Sequence, residues 1–337
     1  MAVSAPNGAA RVRELGDVLA SLPAAVAEIF RDPAVTEVML NPDGAVYCER
    51  AGRLSLVPGV SISARALEAA ALAIARPLGY DADDRRPLVD ARLPDGSRVS
   101  IAGPPVCDSY AITVRRFGSP PLSLRDLIDS GTLDPVACEA AIRAVGERRN
   151  VLVSGGTGSG KTTLMQALLG EVSEDERMIV IEDTRELELG GHPNCLRFEA
   201  REAGDEWDEI SIRDLVRHAL RHRPDRIVVG EVRGGEALDL LQALNTGHGG
   251  AISTIHAKGA VLAPERLATC ATLAGVNYPW GVLCQLVGEA IDVVVHVERD
   301  HASGERRVTA CRELVRYDQL GGVWVWGEAV GLGALAA

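Results

Sequence analysis

The sequence predicts an α/β protein in which a helix-covered parallel sheet follows a smaller, mixed α+β unit. Three observations lead to this fold class. Short β-branched runs between residues 150 and 255 alternate with helical segments, which is typical of a sheet buried on both faces. The first 118 residues instead combine strand pairs with single helices. The length of 337 residues also exceeds the usual size of one hydrophobic core.

The first unit, residues 1–118, carries clear turn and helix signals. Its expected elements are helices at 11–30 and 63–78, strand pairs 36–40 with 45–49 and 89–93 with 98–102, and a strand at 110–117. The turns Asn41-Pro42-Asp43-Gly44 and Pro94-Asp95-Gly96 separate the paired strands. Ser119-Pro120-Pro121 is the expected linker, so the second domain is expected to span residues 119–337.

The second unit contains the runs that predict the parallel sheet. They are NVLVS, RMIVIED, RIVVGE and AISTI, and each enters a polar or glycine-containing loop. The tail segments DVVVHVE, RRVTACRELV and VWVWGE predict antiparallel strands. The uncharged stretch from Leu267 to Gly288 is long enough to span a bilayer, but Asn277, Tyr278 and Pro279 interrupt it. Two buried helices explain this stretch better than a membrane span.

Composition excludes some classes of function. The net charge of −12 argues against a sequence-independent nucleic-acid binder, which needs a broad basic face. Seven scattered cysteines without a CxxC pair argue against a disulfide framework or a zinc ribbon and favour a reducing compartment. The first residues lack the apolar segment of a secretory signal, so a cytoplasmic location is expected. Only two basic residues are lysines, Lys161 and Lys258.

The strongest motif is a phosphate-binding loop. GGTGSGKT fits G-x-x-x-x-G-K-[ST], with a strand before it and a helix-compatible run after it. Backbone N–H groups of such a loop and the positive end of the helix bind phosphate oxygens. Lys161 is expected to reach the β- and γ-phosphates of ATP, and the Thr162 hydroxyl to bind Mg²⁺. The predicted nucleotide-binding residues are Gly155, Gly156, Thr157, Gly158, Ser159, Gly160, Lys161, Thr162 and Thr163.

Acidic residues end two of the predicted parallel strands, where ligands of such sheets bind. Glu182 and Asp183 follow one strand, and Glu231 follows another. These carboxylates could hold a magnesium-bound water or orient the water that attacks the γ-phosphate. The alternatives are a helix N-cap for Glu182 and Asp183, and a solvated strand end for Glu231.

Two histidines, His248 and His256, flank the next strand and could sense the γ-phosphate, although a structural histidine is the alternative for each. No Cys or carboxylate shares a ligand-like spacing with them, so a histidine metal site is not expected. In the first unit, Arg98 begins one hairpin strand, and Arg115 and Arg116 end another. If they face a phosphate loop, they could stabilise the charge of the departing phosphate. Ordinary solvated arginine is the alternative, and a solvated side chain is the expectation for Lys258.

Taken together, the motifs resemble the secretion and pilus "traffic" ATPases of type II and type IV systems over nearly the whole chain. GGTGSGKTTL resembles their Walker A motif, IEDTREL their Asp box, LRHRPDRIVVGEVRGGEALDLLQALNTGH their Walker B motif and TGHGGAISTIHA their His box. VDARLPDGSRV resembles the tight-adherence (Flp) pilus branch, the CpaF/TadA-like ATPases. The short length and the MLNPDG segment also resemble the TrbB-type conjugal-transfer ATPases.

The resemblance implies a RecA-like P-loop motor domain and a homohexamer. It implies that Arg98 and Arg115 contact the nucleotide phosphates, and that Arg116, Arg221 and Arg233 belong to the nucleotide site. It also implies partners, namely inner-membrane platform or channel proteins, which would hold the ATPase peripherally at the inner membrane. Direct nucleic-acid binding is not expected.

The sequence therefore predicts a hexameric Mg-ATP hydrolase that powers pilus assembly or substrate export. Its expected catalytic residues are Lys161, Glu182, Glu231, His256, Arg98 and Arg115, and Thr162 and Glu231 are its expected metal ligands. A conjugal DNA-transfer ATPase is the near alternative. A P-loop kinase, a RecA-like DNA motor and a nucleotide-gated scaffold with little hydrolysis are more remote.

Overall fold

The computed structural model describes residues 22–50, 53–76, 80–83, 85–93, 96–116, 121–189, 191–201, 203, 208–300 and 302–329. The chain divides into two compact units, Met1–Ser119 and Pro120–Ala337. The predicted boundary lies one residue before this division. The linker residues Ser119 and Pro120, the turn residues Pro94 and Asp95, and residues 11–21 of the first expected helix lie outside the described ranges.

The first unit is an antiparallel sheet with helices packed on it. Its described elements are α1 (Ala24–Arg31), β1 (Val35–Leu40), β2 (Ala45–Arg50), β3 (Arg53–Ser61), α2 (Ala64–Ala75), β4 (Leu88–Arg92), β5 (Arg98–Ala102) and β6 (Ala111–Arg115). The described strands lie in the order β3-β2-β1-β6-β5-β4. Val26, Phe30, Leu67 and Ile74 are buried against the sheet. Both predicted hairpins are present.

Strand β3 was not predicted. It is an edge strand with mostly exposed side chains, and Pro58 and Gly59 interrupt it. Such residues are depleted in strands and are tolerated at an edge, where one side of the backbone needs no partner. Pairing with β2 therefore forms this strand, rather than any local preference of its residues.

The second unit is the predicted sheet with helices on both faces. Its described elements are α3 (Leu124–Asp129), α4 (Pro135–Gly146), β7 (Val151–Gly155), α5 (Lys161–Leu169), β8 (Met178–Glu182), β9 (Cys195–Glu199), α6 (Ile212–Ala219), β10 (Arg226–Val232), α7 (Glu236–Asn245), β11 (Ile252–His256), α8 (Ala263–Thr272), α9 (Trp280–Ala290), β12 (Val293–Arg299), β13 (Arg306–Asp318) and β14 (Val323–Ala329). Short 3-10 turns occupy Leu220–His222 and Ala260–Leu262.

The strand order of the second sheet is β14-β13-β12-β7-β11-β10-β8-β9. Helices α3, α4 and α5 contribute to the core on one face, and α6 to α9 to the core on the other. The expectation of a wholly antiparallel tail was wrong for its first strand. β12 pairs in parallel with β7 and antiparallel with β13, because its apolar residues Val293, Val295 and Val297 are buried in the sheet beside the phosphate-loop strand.

The uncharged stretch forms two separate helices, as predicted. α8 ends at Thr272 and α9 begins after Pro279, which fits the N-terminal boundary because proline has no backbone donor to lose there. Leu267, Leu283 and Val287 are buried in the core. Within the described ranges, no helix is both long and apolar enough to cross a membrane.

Candidate nucleotide site

The phosphate loop joins the end of β7 to the start of α5, and the geometry at Gly155 and Gly160 shows why it contains glycine. A Cβ on Gly155 would lie 2.3 Å from the carbonyl oxygen of Val297 and 2.5 Å from Ser159 Oγ, so no side chain fits there. Gly160 caps α5 with φ at +99°, a left-handed conformation that other residues rarely adopt. The backbone therefore curls tightly before the first turn of α5, which begins with Lys161, Thr162 and Thr163.

Lys161 is a buried cation, with only 7% of its surface exposed. Its Nζ donates to the carbonyl oxygen of Gly156 at 2.9 Å and to His256 Nδ1 at 3.3 Å. Burial lowers the pKa of Lys161, and the charge of Glu231 partly opposes that shift. Lys161 forms no ion pair with any described carboxylate. A buried ammonium with neutral partners favours an anion, and the loop and the helix N-terminus are suited to phosphate.

His256, at the end of β11, links Lys161 to Glu231. Its Nε2 lies 2.6 Å from Glu231 Oε1. An ammonium group can only donate, so His256 Nδ1 accepts from Lys161, and the proton of the neutral ring lies on Nε2. Burial and the charge of Lys161 lower the pKa of His256, which favours this neutral form.

Glu231 is also bound by Arg233, whose Nε and Nη2 donate to Oε2 at 2.9 and 2.6 Å. Arg233 Nη1 lies 3.8 Å from Asp183 Oδ2. The hydrogen bond to Glu231 is the main reason that the pKa of Arg233 is raised. Residues from the ends of β8, β10 and β11 thus form one polar chain that leads from the phosphate loop to Asp183. Carboxylates at this edge of the sheet were predicted from the strand pattern.

Comparison with known proteins agrees with this geometry. The family model described as "Type II/IV secretion system protein" matches residues 23–312. The conjugal transfer protein TrbB of Rhizobium radiobacter is 36% identical over 292 residues, which cover 85% of each chain. The type IV secretion system protein VirB11 of Brucella suis is 36% identical over 304 residues, covering 82% of this chain and 84% of the relative. The chain belongs to the type II/IV secretion system protein family.

The fold is also similar to that of a solved structure. The structure of the ATPase DotB from Legionella pneumophila is similar at a TM-score of 0.62 and 19% identity, covering 92% of this chain and 83% of that chain. The predictions of an α/β fold with a P-loop domain and of an ATPase are confirmed. The resemblance to secretion and pilus ATPases is confirmed at the level of the family.

Glu182, another of the predicted acidic residues, stabilises the structure around it. It is 3% exposed. Its Oε1 accepts from the backbone N–H groups of Glu186 and Leu187 at 2.7 and 2.8 Å, and its Oε2 accepts from Arg197 Nη2 at 2.9 Å. The carboxylate therefore holds the loop after β8, and the neighbouring Asp183 side chain remains exposed.

Two predicted nucleotide-site residues lie at the opposite edge of the sheet. Arg221 belongs to the 3-10 turn that precedes β10, and it donates to the carbonyl oxygen of Arg217 at 2.8 Å. His248 lies between α7 and β11, where its Nδ1 lies 3.3 Å from the carbonyl oxygen of Ala243. Parallel strands bring their starts to one edge and their ends to the other. The structure thus separates both residues from the phosphate loop of their own chain, contrary to expectation.

The arginines of the first unit fall into two kinds. Arg98 and Arg115 are directly opposite each other on β5 and β6, so their side chains lie on the same face of the sheet. Arg116 instead donates through Nη1 to the carbonyl oxygens of Asp32 at 2.7 Å and Val35 at 3.4 Å. Arg116 thus stabilises the connection between α1 and β1, whereas Arg98 and Arg115 form a pair across β5 and β6.

Three cations beside the phosphate loop were not predicted to belong to the site. Arg306 Nε on β13 donates to the carbonyl oxygen of Gly158 at 3.1 Å, and Arg299 Nη1 lies 3.4 Å from the position that a Cβ on Gly158 would take. Lys258 lines a cavity of about 760 Å³ that also reaches Gly155, Gly156 and Thr157. No motif marks these residues. Arg299 and Arg306 reach the loop because β12 pairs with β7 and β13 pairs with β12.

Proposed function

We propose that this chain is the ATPase of a type IV secretion machine of the conjugal-transfer kind. The support for this branch comes from its relatives, since the protein from Rhizobium radiobacter is a conjugal transfer protein and that from Brucella suis is a type IV secretion system protein. This alternative is better supported than the tight-adherence pilus branch that the motifs favoured. We further propose that the chain acts as a homohexamer with membrane proteins of that machine at the inner membrane.

One observation carries the proposal of ATP hydrolysis, namely the polar chain from Lys161 through His256 to Glu231. A terminal phosphate at the loop would offer Lys161 a charged acceptor in place of His256 Nδ1. His256 would then be free to turn toward the phosphate. Glu231, relieved of its contact with His256, would orient a water molecule and take its proton as the water oxygen bonds to the γ-phosphorus. The bond from that phosphorus to the bridging oxygen breaks, and its electrons remain on ADP.

The residues present fit a magnesium ion held mainly by the nucleotide. Thr162 places a hydroxyl in the first turn of α5, beside Lys161. Among the described residues, no three His, Cys, Asp or Glu side chains form a metal-binding group. Magnesium sites of this type use few protein ligands and several phosphate and water oxygens. When bound, the ion would neutralise charge on the β- and γ-oxygens. Thr162 would hold it directly, and Glu231 through water.

The proposal is tested by measuring phosphate release from Mg-ATP without any acceptor. We expect turnover by the unmodified protein and a loss of about 10²-fold or more in Lys161→Ala and in Glu231→Gln, the size typical of removing one group that stabilises the transition state. Arg223→Gln is the matched control, because this exposed arginine precedes β10 at the opposite edge of the sheet. Normal turnover in both site variants would contradict the proposal, and turnover only with an added acceptor would indicate a kinase.

The branch is tested in cells that lack the gene and carry the unmodified chain or Lys161→Ala. We expect the unmodified chain to restore transfer of a conjugal plasmid and the variant to fail, with surface pili of the tight-adherence type unchanged. Restored pili without restored transfer would favour the pilus branch. Turnover stimulated by DNA and falling steeply with salt would instead indicate a DNA motor.

A further inference from the structure

The cavity beside the phosphate loop begins where a terminal phosphate would end. Lys161 Nζ is held by Gly156 and His256, and both residues also line this cavity. A phosphate that meets Lys161 therefore lies at the mouth of the cavity. The cavity of about 760 Å³ is also lined by Lys258, Leu262, Arg266 and Arg299. Its volume is that of a small-molecule site.

The lining of the cavity favours an anion. Lys258, Arg266 and Arg299 bring three positive charges, and Glu298 brings one negative charge. The charge of Glu298 is directed to His296, whose Nε2 lies 3.2 Å from its Oε1. The charge of Arg266 reaches the phosphate-loop end of the cavity, because it contributes to the lowered pKa of His256. Arg299 lies against Gly158 at the apex of the loop.

The cations come from three separate elements. Lys258 follows β11, Arg266 lies on α8 and Arg299 ends β12. Between them, Thr157 offers a hydroxyl from the phosphate loop. Ammonium and guanidinium groups around a concave space are the usual partners of phosphate oxygens. The cavity adjoins the point where the γ-phosphate would be cleaved. The nearest anion is therefore the inorganic phosphate that hydrolysis releases.

We infer that the cavity lined by Lys258, Arg266 and Arg299 holds inorganic phosphate after cleavage, while ADP still occupies the phosphate loop. This inference rests on the proposed ATP hydrolysis. Phosphate moves from the cleavage point past His256 into the cavity and leaves by way of Lys258 and Arg266, whose exposed side chains face solvent. Lys258 then has a function, as a point charge on a flexible side chain at the exit of the cavity.

Binding to the ADP complex tests the site directly. The full chain is saturated with Mg-ADP, and inorganic phosphate is titrated in while ³¹P NMR line width reports the bound fraction. We expect saturable binding that weakens about tenfold or more in the Lys258→Gln/Arg266→Gln double variant, since the variant removes two of the cationic partners of the phosphate oxygens. Both side chains are exposed, so the fold should tolerate the changes, and Arg223→Gln should bind phosphate normally.

A second measurement follows inhibition of ATP turnover by added phosphate. The concentration that halves turnover should rise by a similar factor in the double variant and stay unchanged in Arg223→Gln. Equal phosphate affinity in the double variant, or binding that ADP abolishes, would overturn the inference, the latter because phosphate would then occupy the loop itself. Normal ATP turnover without phosphate binding to the ADP complex would overturn this inference alone. Absence of turnover in the unmodified chain would overturn the proposed function as well.

Discussion

Lys161 donates a hydrogen bond to His256, which lies 95 residues further along the chain on the neighbouring strand β11. Because the same imidazole ring contacts Glu231 through its other nitrogen, the cation that would meet the phosphate and the carboxylate that would activate water share one neutral bridge. An anion that draws Lys161 away would release His256 and so alter its contact with Glu231. Phosphate binding and the proposed catalysis would thereby be coupled through one hydrogen bond and one close imidazole–carboxylate contact, and this coupling can be measured.

The charges on either side of His256 should move its pKa in opposite directions. In the folded protein the pKa lies below the ordinary value of 6.5, chiefly through burial and then through Lys161. We expect Lys161→Ala to raise the pKa and Glu231→Gln to lower it further. Titration of ¹³C-labelled histidine by NMR, assigned with His256→Gln, measures both shifts. Equal pKa values in all three proteins would contradict the bridge.

The same pKa predicts how His256 affects stability. Because its folded pKa is below 6.5, the unfolded chain takes up a proton first as pH falls. The contribution of His256 to stability is therefore complete above pH 6.5 and is lost as pH falls toward the folded pKa. His256→Gln should remove this part of the pH dependence of thermal unfolding. An unchanged pH profile in the variant would show that the ring does not titrate as described.

Substitution of Glu182 should affect stability, whereas substitution of Glu231 should affect turnover. Glu182→Gln places an amide N–H₂ beside donors that now meet a buried carboxylate, so we expect a loss of about 1.5–3 kcal/mol in the free energy of unfolding. Glu231→Gln should unfold nearly as the unmodified protein does while losing turnover. Denaturant unfolding and phosphate release are measured on both variants. A stable, inactive Glu182→Gln protein would instead make Glu182 the catalytic carboxylate.

Neighbouring glycines of the phosphate loop provide a matched pair. Gly155→Ala would place its Cβ against a backbone oxygen, whereas nothing lies within 4 Å of a Cβ on Gly156. Gly155→Ala should therefore cost at least about 1–3 kcal/mol of stability, as overpacking does. Gly156→Ala should have an almost unchanged melting temperature. Thermal unfolding of both variants decides the matter, and equal melting temperatures would show that the loop can relax around the added methyl group.

The paired arginines of the first unit should affect turnover rather than folding. Arg98→Ala and Arg115→Ala should retain the melting temperature and lose turnover, by up to about 10³-fold if they stabilise the departing phosphate. Arg116→Ala should lower the melting temperature, because its guanidinium holds two backbone carbonyls. Normal turnover in both paired variants would show that these arginines do not stabilise the departing phosphate.

Mixed assemblies show whether the pair acts within one chain or between neighbours. In a homohexamer, chains with both Arg98→Ala and Arg115→Ala are mixed with Lys161→Ala chains. If the arginines serve the phosphate loop of a neighbouring chain, some sites in the mixture combine an intact loop with intact arginines, and turnover is partly restored. If they serve their own chain, every site lacks one component and the mixture stays inactive.

Local sequence patterns were sufficient for much of the fold and for the centre of the site. The run from Gly155 to Thr162 identified the phosphate loop because its geometry depends on neighbouring residues and their backbone angles. Glu231 and His256 were expected near it because parallel strands bring their ends to one edge. The same rule, applied to residues that precede strands, would have separated Arg221 and His248 from the loop.

The order of strands across the sheet decided the rest, because it depends on packing between residues that are distant in the chain. Only that order places β12 beside β7 and β13 next to β12, and thus brings Arg299 and Arg306 to the loop. Only the pairing of β8 with β9 brings Arg197 to Glu182 and so engages that carboxylate. The sequence alone was enough to predict that Lys161 binds phosphate. The tertiary structure was needed to find that Lys258, the other lysine, lines a cavity beside it.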